Sequence, residues 1–567
     1  MDYTFQIVDY VMLCLTILFS IGIGLYYAIF KKQNTPEEYL HGGRVMNPYA
    51  VAFSIVSGII SGIIMTSLPT DIYYFGSHYG FLQTPATLIA YSISYFCVIP
   101  VFHKLQLTSI FHYFELRFNS KVRKLSSFMF TFQVILQMPL VLFVTVLVVA
   151  QVSRVNLSHV TLLISFICTT YTIFGGIKAV VWTDALQFLV MLGAMITVLI
   201  IGTISVGGIE NLFRISYENG RIKFDFDYDM TKRDTVWGVM LTLIFQSLSL
   251  SGIAQGTIQK MLSLKNFSDI KRAYLFTILS WILLLTLGTL IGLMLLARYV
   301  MCDPLITKQI SKPDQLMPYA ILNISRTHPG LLGVYVAGIV SCGLSTLSAN
   351  LNSLSATIFN DFLRNCLPQP IIRKHEMLIL KLIVLLAGVT CTVLTYVVEH
   401  LGNVLPLLVN LLALTGSPIV GLFFAGLFFP SVNSKGALIG GISSLLILSW
   451  LIISTFWYKI SNRVEYPTLP TFITSCNISE IANISTTSTD KIFNNDPTVP
   501  IMYQISHYYY NPIGALTVII ISILISYLTK KKNHYVKDDY LSPLVLYFRK
   551  KISYSKYKSV ELRDINS

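Results

Sequence analysis

The chain has 567 residues, of which 54% are apolar and only 12% are charged. Soluble proteins carry about twice that share of charge, and disordered, collagen-like and coiled-coil chains need more charge or more Pro and Gly, so these classes are excluded. A net charge of +14 would indicate nucleic-acid binding in a soluble domain, but in a chain with a mean hydropathy of +0.66 the positions of the basic residues matter more than their sum. We predict no nucleic-acid partner.

Thirteen apolar stretches follow one another along the chain, most of them about 20 residues or longer. A helix of that length spans a bilayer core of ~30 Å. We therefore predict an all-α polytopic membrane protein with about thirteen transmembrane helices and the lipid bilayer as its surroundings. The first stretch has no basic lead, which favours a permanent span over a cleaved signal peptide. The stretches are 7–29, 46–68, 79–102, 125–150, 157–176, 180–205, 236–258, 273–298, 330–360, 377–399, 402–430, 436–458 and 509–529.

The loop charges predict the orientation. With the N-terminus outside, 27 Lys and Arg residues lie in inner segments and 13 in outer segments. The positive-inside rule then favours an extracellular N-terminus and a cytoplasmic C-terminus in a multi-pass protein, which we place in the plasma membrane. The basic tail 530–567 is an anchor for this topology, with contact to anionic lipid as a secondary expectation.

Sequons and cysteines agree with that orientation. Asn323, Asn477 and Asn483 begin N-x-S sequons in the two longest predicted outer loops, where we expect glycosylation.

Cys302 and Cys476 are the two cysteines in predicted outer segments. They could form a disulfide or remain free thiols, and the sequence leaves both alternatives open.

Two spans share a glycine pattern. Residues 57–62 and 251–256 both fit S-G-x-x-x-G, and they lie five spans apart, so they cross the membrane in opposite directions. An inverted repeat of five plus five helices would produce this arrangement, with each first helix unwound at mid-membrane and its carbonyls exposed to ions. The alternative is that the glycines only permit close helix packing.

This repeat divides the chain into six parts. An extracellular N-terminus, the first span and an inner loop form 1–45, and the first repeat (spans 2–6) forms 46–205. An extracellular loop at 206–235 precedes the second repeat (spans 7–11) at 236–430. Spans 12 and 13, with a glycosylated extracellular loop at 459–507, form 431–529, and the basic cytoplasmic tail forms 530–567.

A polar stripe follows one face of the ninth span. Its members are separated by 4, 3, 4 and 3 residues, and Thr346 lies beside them. Hydroxyls facing hydrocarbon are costly, so the stripe faces protein, water or an ion. A sodium site and a packing seam of small residues both remain open. The stripe consists of Ser341, Ser345, Ser348, Asn352 and Ser355.

The sixth span opens with an acidic residue, Asp184, and Gln187 follows one turn later. Ionisable residues inside membranes are costly and commonly functional. The alternative is that Asp184 lies near the inner interface and pairs locally with Lys178.

Several motifs together resemble the sodium/solute symporter family over residues 10–530, and within it the monocarboxylate, multivitamin and iodide group. The stretches that carry the resemblance are TSIFHYFELRF at 108–118, YTIFGGIKAVVWTDALQ at 171–187, QGTIQKMLS at 255–263, PDQLMPYAI at 313–321 and LSTLSANLNS at 344–353. The resemblance implies sodium-coupled import of a small organic or inorganic anion by alternating access. Sodium is then the co-transported ion, with no organic cofactor and no enzymatic activity.

The resemblance also implies site residues. Sodium would bind the backbone carbonyls of Ser57, Ile60 and Cys342 and the side chains of Ser345 and Thr346. Roles in ion coupling, in a second cation site or near the solute are implied for Asp184, Gln187 and Gln255.

The sequence departs from the group at two positions. Ala254 replaces an asparagine, and Lys260 replaces an arginine, which we place at the inner mouth as a milder change. The first departure keeps a second function open, that of an uncoupled channel-like or ligand-sensing relative. The solute, the stoichiometry and the oligomeric state are not readable from the sequence.

Overall fold

A computed structural model describes residues 5–30, 38–39, 42–105, 107, 109–364, 366–400, 404–461, 463–464, 466–473, 476, 498–529, 536–549 and 551. In these residues the regular structure is helical and no strand occurs. The predicted all-α membrane fold is confirmed. The helices are α1 Ile7–Ile29, α2 Pro48–Ile59, α3 Gly62–Phe75, α4 His78–Leu105, α5 His112–Arg117, α6 Ser120–Ser153, α7 Leu157–Ser205, α8 Ile209–Glu218, α9 Val236–Ser247, α10 Gln255–Met261, α11 Phe267–Tyr299, α12 Leu316–Ser325, α13 Leu331–Thr357, α14 Gln369–Val398, α15 Val404–Phe428, α16 Ser434–Ile460, α17 Ile501–Gln504 and α18 Tyr510–Leu528.

The described residues hold ten helices that are long and apolar enough to cross a membrane, or twelve if each of two bent helix pairs counts as one span. One of the ten, α7, has 49 residues and contains Gly176 at φ 55°, ψ −168°. A straight helix of that length would extend ~74 Å, more than twice the ~30 Å of a bilayer core. If α7 crosses once on each side of Gly176 the total becomes thirteen, and that count stays a prediction.

Helices α2 and α3 meet at a bend of 57°. Helix α2 begins behind Asn47, whose side chain accepts from the amides of Tyr49 and Ala50. It ends because Ile60 and Ser61 adopt extended backbone, with ψ of 113° and 172°. The last carbonyls of α2 therefore have no partner in the next helical turn. The second bent pair, α9 and α10, meets at 53° around the other glycine motif.

Helix α13 is buried along almost its whole length and packs mainly against α7 and α6. Small residues make this approach possible. A Cβ on Gly343 would lie 2.3 Å from Thr145 Oγ1, and one on Gly338 would lie 2.6 Å from Ala194 Cβ. The polar stripe is thus enclosed by protein, as the cost of burying hydroxyls in lipid requires.

A disulfide between Cys302 and Cys476 joins two segments that the sequence places outside. The chain before Cys476 runs along the same region, where Phe472 N donates to Val300 O at 2.8 Å and Leu469 N donates to Tyr74 O at 2.8 Å. These bonds hold the segment 466–473 against the end of α3.

The predicted glycosylation sites fall in different places. Asn323 lies in α12, half-buried, and its Nδ2 donates to Tyr299 Oη at 3.1 Å. Asn477 and Asn483 lie outside the described residues.

Candidate ion and solute site

Five oxygens meet where the break after α2 faces the stripe of α13. Ser345 Oγ lies 2.8 Å from Ser57 O and 3.1 Å from Cys342 O. Thr346 Oγ1 lies 3.2 Å from Ile60 O and 3.4 Å from Ser57 O. All five residues predicted for the sodium site are therefore brought together.

This cluster has more acceptors than protons. The hydroxyls of Ser345 and Thr346 carry one proton each, yet each lies within hydrogen-bond distance of two carbonyls. Carbonyls donate nothing, so each oxygen keeps a lone pair beyond these hydrogen bonds. A monovalent hard cation among the five oxygens would use these lone pairs.

A second polar cluster surrounds Asp184, which is fully buried in α7. Its Oδ2 accepts from Ser54 Oγ at 2.8 Å and from Lys260 Nζ at 2.9 Å. Its Oδ1 accepts from Ser348 Oγ at 3.3 Å. Residues of α2, α7, α10 and α13 converge here.

The partner of Asp184 corrects the sequence analysis. Lys178 was the local partner in one of the two alternatives, but its Nζ lies near Gly43, whereas Lys260 forms the ion pair with Asp184. Lys260 is only 4% exposed and is not a surface residue of the inner mouth. The pairing was missed because it joins residues 76 positions apart, which no local pattern reveals.

The two predicted glutamines lie outside both clusters. Gln187 Nε2 donates to Ser20 Oγ of α1 at 3.0 Å. Gln255 starts α10, and its Oε1 accepts from Ile110 N at 2.9 Å, which ties down the chain before α5. The described bond of Gln187 is thus to α1, and that of Gln255 is to the backbone just before α5.

A cavity opens beside the α2 break, with about 720 Å³ of empty space including the part open to solvent. Its wall includes Gly58 and Ile59 at the break, Ala254 at the other broken pair, and Gln133 of α6. Lys260 also lines it. Mostly apolar walls with a few polar groups are typical of a small-molecule site.

A cluster of ion pairs lies on the opposite side of the break. Arg233 forms ion pairs with Asp71 of α3 and with Asp234, and its guanidinium lies 3.6 Å from the centre of the Phe75 ring. Burial raises the pKa of Asp234, although the Arg233 pair opposes this rise. The cavity thus lies on the α2 side of the break, which is the predicted cytoplasmic side, and the Arg233 cluster lies on the α3 side.

The sequence model of the sodium:solute symporter family matches residues 39–444. Sodium-coupled monocarboxylate transporter 2 of Bos taurus is 35% identical over 93% of this chain and 84% of its own length. Sodium-coupled monocarboxylate transporter 1 of Homo sapiens is 31% identical over 99% and 94%. The sodium-dependent multivitamin transporter of Oryctolagus cuniculus is 31% identical over 93% and 83%.

Solved structures show the same fold. A Na⁺-coupled sialic acid symporter in a substrate-bound outward-open state superposes with a TM-score of 0.74 at 22% identity, covering 94% of this chain and 100% of the other. A nucleobase-cation-symport-1 family transporter in a closed conformation gives a TM-score of 0.54 at 10% identity, covering 89% and 98%.

Proposed function

Because the chain belongs to the sodium:solute symporter family, whose members here are transporters and not enzymes, we propose that it imports a small organic anion together with sodium. Sodium is the co-transported ion of the family, and the relatives named for monocarboxylates and for vitamins support a carboxylate as the solute. The proposed solutes also include inorganic anions.

We place the transported sodium ion among the five oxygens of Ser57, Ile60, Cys342, Ser345 and Thr346. The observation that carries this assignment is the convergence of three backbone carbonyls and two hydroxyls from two helices, one of them broken at this point. The absence of a carboxylate fits a monovalent ion that must be released in each cycle, because binding must be weak enough to reverse.

We propose that transport proceeds by alternating access between two repeats, 46–205 and 236–430, in the plasma membrane. The N-terminus is outside and the C-terminus is cytoplasmic in this proposal. Two bent helix pairs at corresponding positions support the repeats. The cavity beside Lys260 and the ion-pair cluster around Arg233 support an inward-facing state.

The test is tracer uptake in cells that express the chain, with lactate, nicotinate, biotin, pantothenate, iodide and glucose, each in sodium and in choline. Sodium-dependent accumulation of a carboxylate supports the proposal. Accumulation of glucose or of no solute, with the protein shown at the cell surface, contradicts it.

The second candidate, an uncoupled channel-like or ligand-sensing relative, depends on Ala254. This residue lines the cavity and contributes no side-chain oxygen to the five-oxygen cluster. Currents evoked by a solute without its accumulation would support this candidate.

A further inference from the structure

The ammonium of Lys260 lies between a buried carboxylate and a backbone carbonyl. Its Nζ is 2.9 Å from Asp184 Oδ2 and 2.9 Å from Ser54 O. Ser54 Oγ and Ser348 Oγ bond to the same carboxylate from two other helices. The two hydroxyls hold the carboxylate, and the cage formed by that carboxylate and the Ser54 carbonyl offers one full negative charge and one backbone oxygen to a single cation.

The space for this cation is built by small neighbours. A Cβ on Gly58 would lie 3.1 Å from Lys260 Nζ and 3.1 Å from Ala349 Cβ. A larger side chain at position 58 would thus meet the ammonium directly. The lysine reaches the cage from α10, across the cavity wall.

A buried carboxylate in low dielectric needs a cation or a proton. Here the cation is covalently attached to the chain. The Lys260 ammonium cannot be released into the cytoplasm. It returns with the protein in every transport cycle, and its pair with Asp184 has no net charge. Asp184 thus has no remaining demand for an ion from solution.

We propose that the Lys260 ammonium permanently fills a second cation position at Asp184, so that the Ser57–Thr346 site alone carries a mobile sodium ion. This inference rests on the proposed sodium-coupled import of a small anion. One sodium ion and one monovalent anion then move together, and the cycle transfers no net charge.

Removing the lysine charge should open the cage. In Lys260→Met the Asp184 carboxylate is left without a counter-charge and must take up a second sodium ion or a proton from solution. Either ion adds one positive charge to each transported anion, so an electroneutral cycle becomes electrogenic. The other titratable groups that interact with Asp184 in the described residues are Cys168 and Tyr171 of the same helix.

The experiment measures tracer flux and membrane current simultaneously in voltage-clamped cells, with the carboxylate that gives the largest uptake. We expect a ratio of charge to solute near zero for the wild type and for Lys260→Arg, which keeps a cation in the cage. For Lys260→Met we expect a ratio near one. If sodium is the added ion, the Hill coefficient for sodium rises from about one to about two. If it is a proton, the current rises as the external pH is lowered.

Three results would overturn the inference. The first is a wild-type ratio of one or more, which needs no variant and holds even if Lys260→Met fails to reach the surface. The second is a Lys260→Met ratio that stays at zero in transporting cells. The third is a charge-to-solute ratio near one in the double variant Lys260→Met/Asp184→Asn. Both side chains are neutral in that variant, so the ratio should return to zero. Absence of sodium-dependent uptake by the wild type would instead refute the proposed function itself.

Discussion

Substitution of Ser345 by alanine removes one of the five oxygens proposed to hold sodium while leaving the backbone of α13 intact. The Ser345 hydroxyl is completely buried and bridges the two helices of the cluster, at 2.8 Å from Ser57 O. A polar contact to a charged group contributes about 1.5–3 kcal/mol. Since each ~1.4 kcal/mol is a factor of ten in affinity, the sodium concentration for half-maximal uptake should rise roughly 10- to 150-fold.

The assay is solute uptake as a function of external sodium, with osmolarity held constant by choline, for variants matched in surface expression. Ser341→Ala is the control, because its hydroxyl belongs to the same stripe but has no hydrogen-bond partner in the described structure. We expect its sodium dependence to equal that of the wild type. A Ser345→Ala transporter with unchanged sodium dependence would refute the assignment of the ion to this cluster.

Three further changes test the surroundings of the site. Gly333→Ala should lower the yield of folded protein and its melting temperature, because the new Cβ would lie 2.4 Å from Asp9 Cα; normal stability would contradict this packing. Arg221→Met should destabilise the protein by about 1–3 kcal/mol, because the buried carbonyl of Tyr73 is left without this donor, as thermal unfolding in detergent would show. Cys302→Ser should cost about 2–4 kcal/mol by the same measurement, and adding a reductant should lower the stability of the wild type but not of the variant.

The sequence was sufficient to predict the class of fold, and the family resemblance named five residues that the structure brings together. The apolar stretches set the helices, because a lipid surface leaves few alternatives to a helix. The two glycine motifs correctly located both breaks, since glycine disfavours continuous helix and the motifs are local in sequence. Helical periodicity in turn grouped the polar residues of the stripe, although nearly every residue of α13 is buried.

Pairing between distant side chains was not predictable. Lys260 lies in a short helix that looks like the inner end of a span, and nothing near it in sequence indicates a buried acidic partner. Only the convergence of four helices reveals that its ammonium meets Asp184. The same limit applies to Ser54, which was overlooked although it lies one helical turn before Ser57.

The two clusters share their helices, so they cannot act independently. Ser54 and Ser57 are one turn apart on α2, and Ser345 and Ser348 are one turn apart on α13. Ser348 Oγ lies 3.0 Å from Ser345 O and 3.3 Å from Asp184 Oδ1, so one hydroxyl proton serves both sides. A sodium ion at the proposed site would contact the Ser57 carbonyl, one turn from the Ser54 carbonyl that accepts from Lys260 Nζ. Because Lys260 belongs to the broken pair of the second proposed repeat, this contact joins ion binding in one repeat to the position of the other.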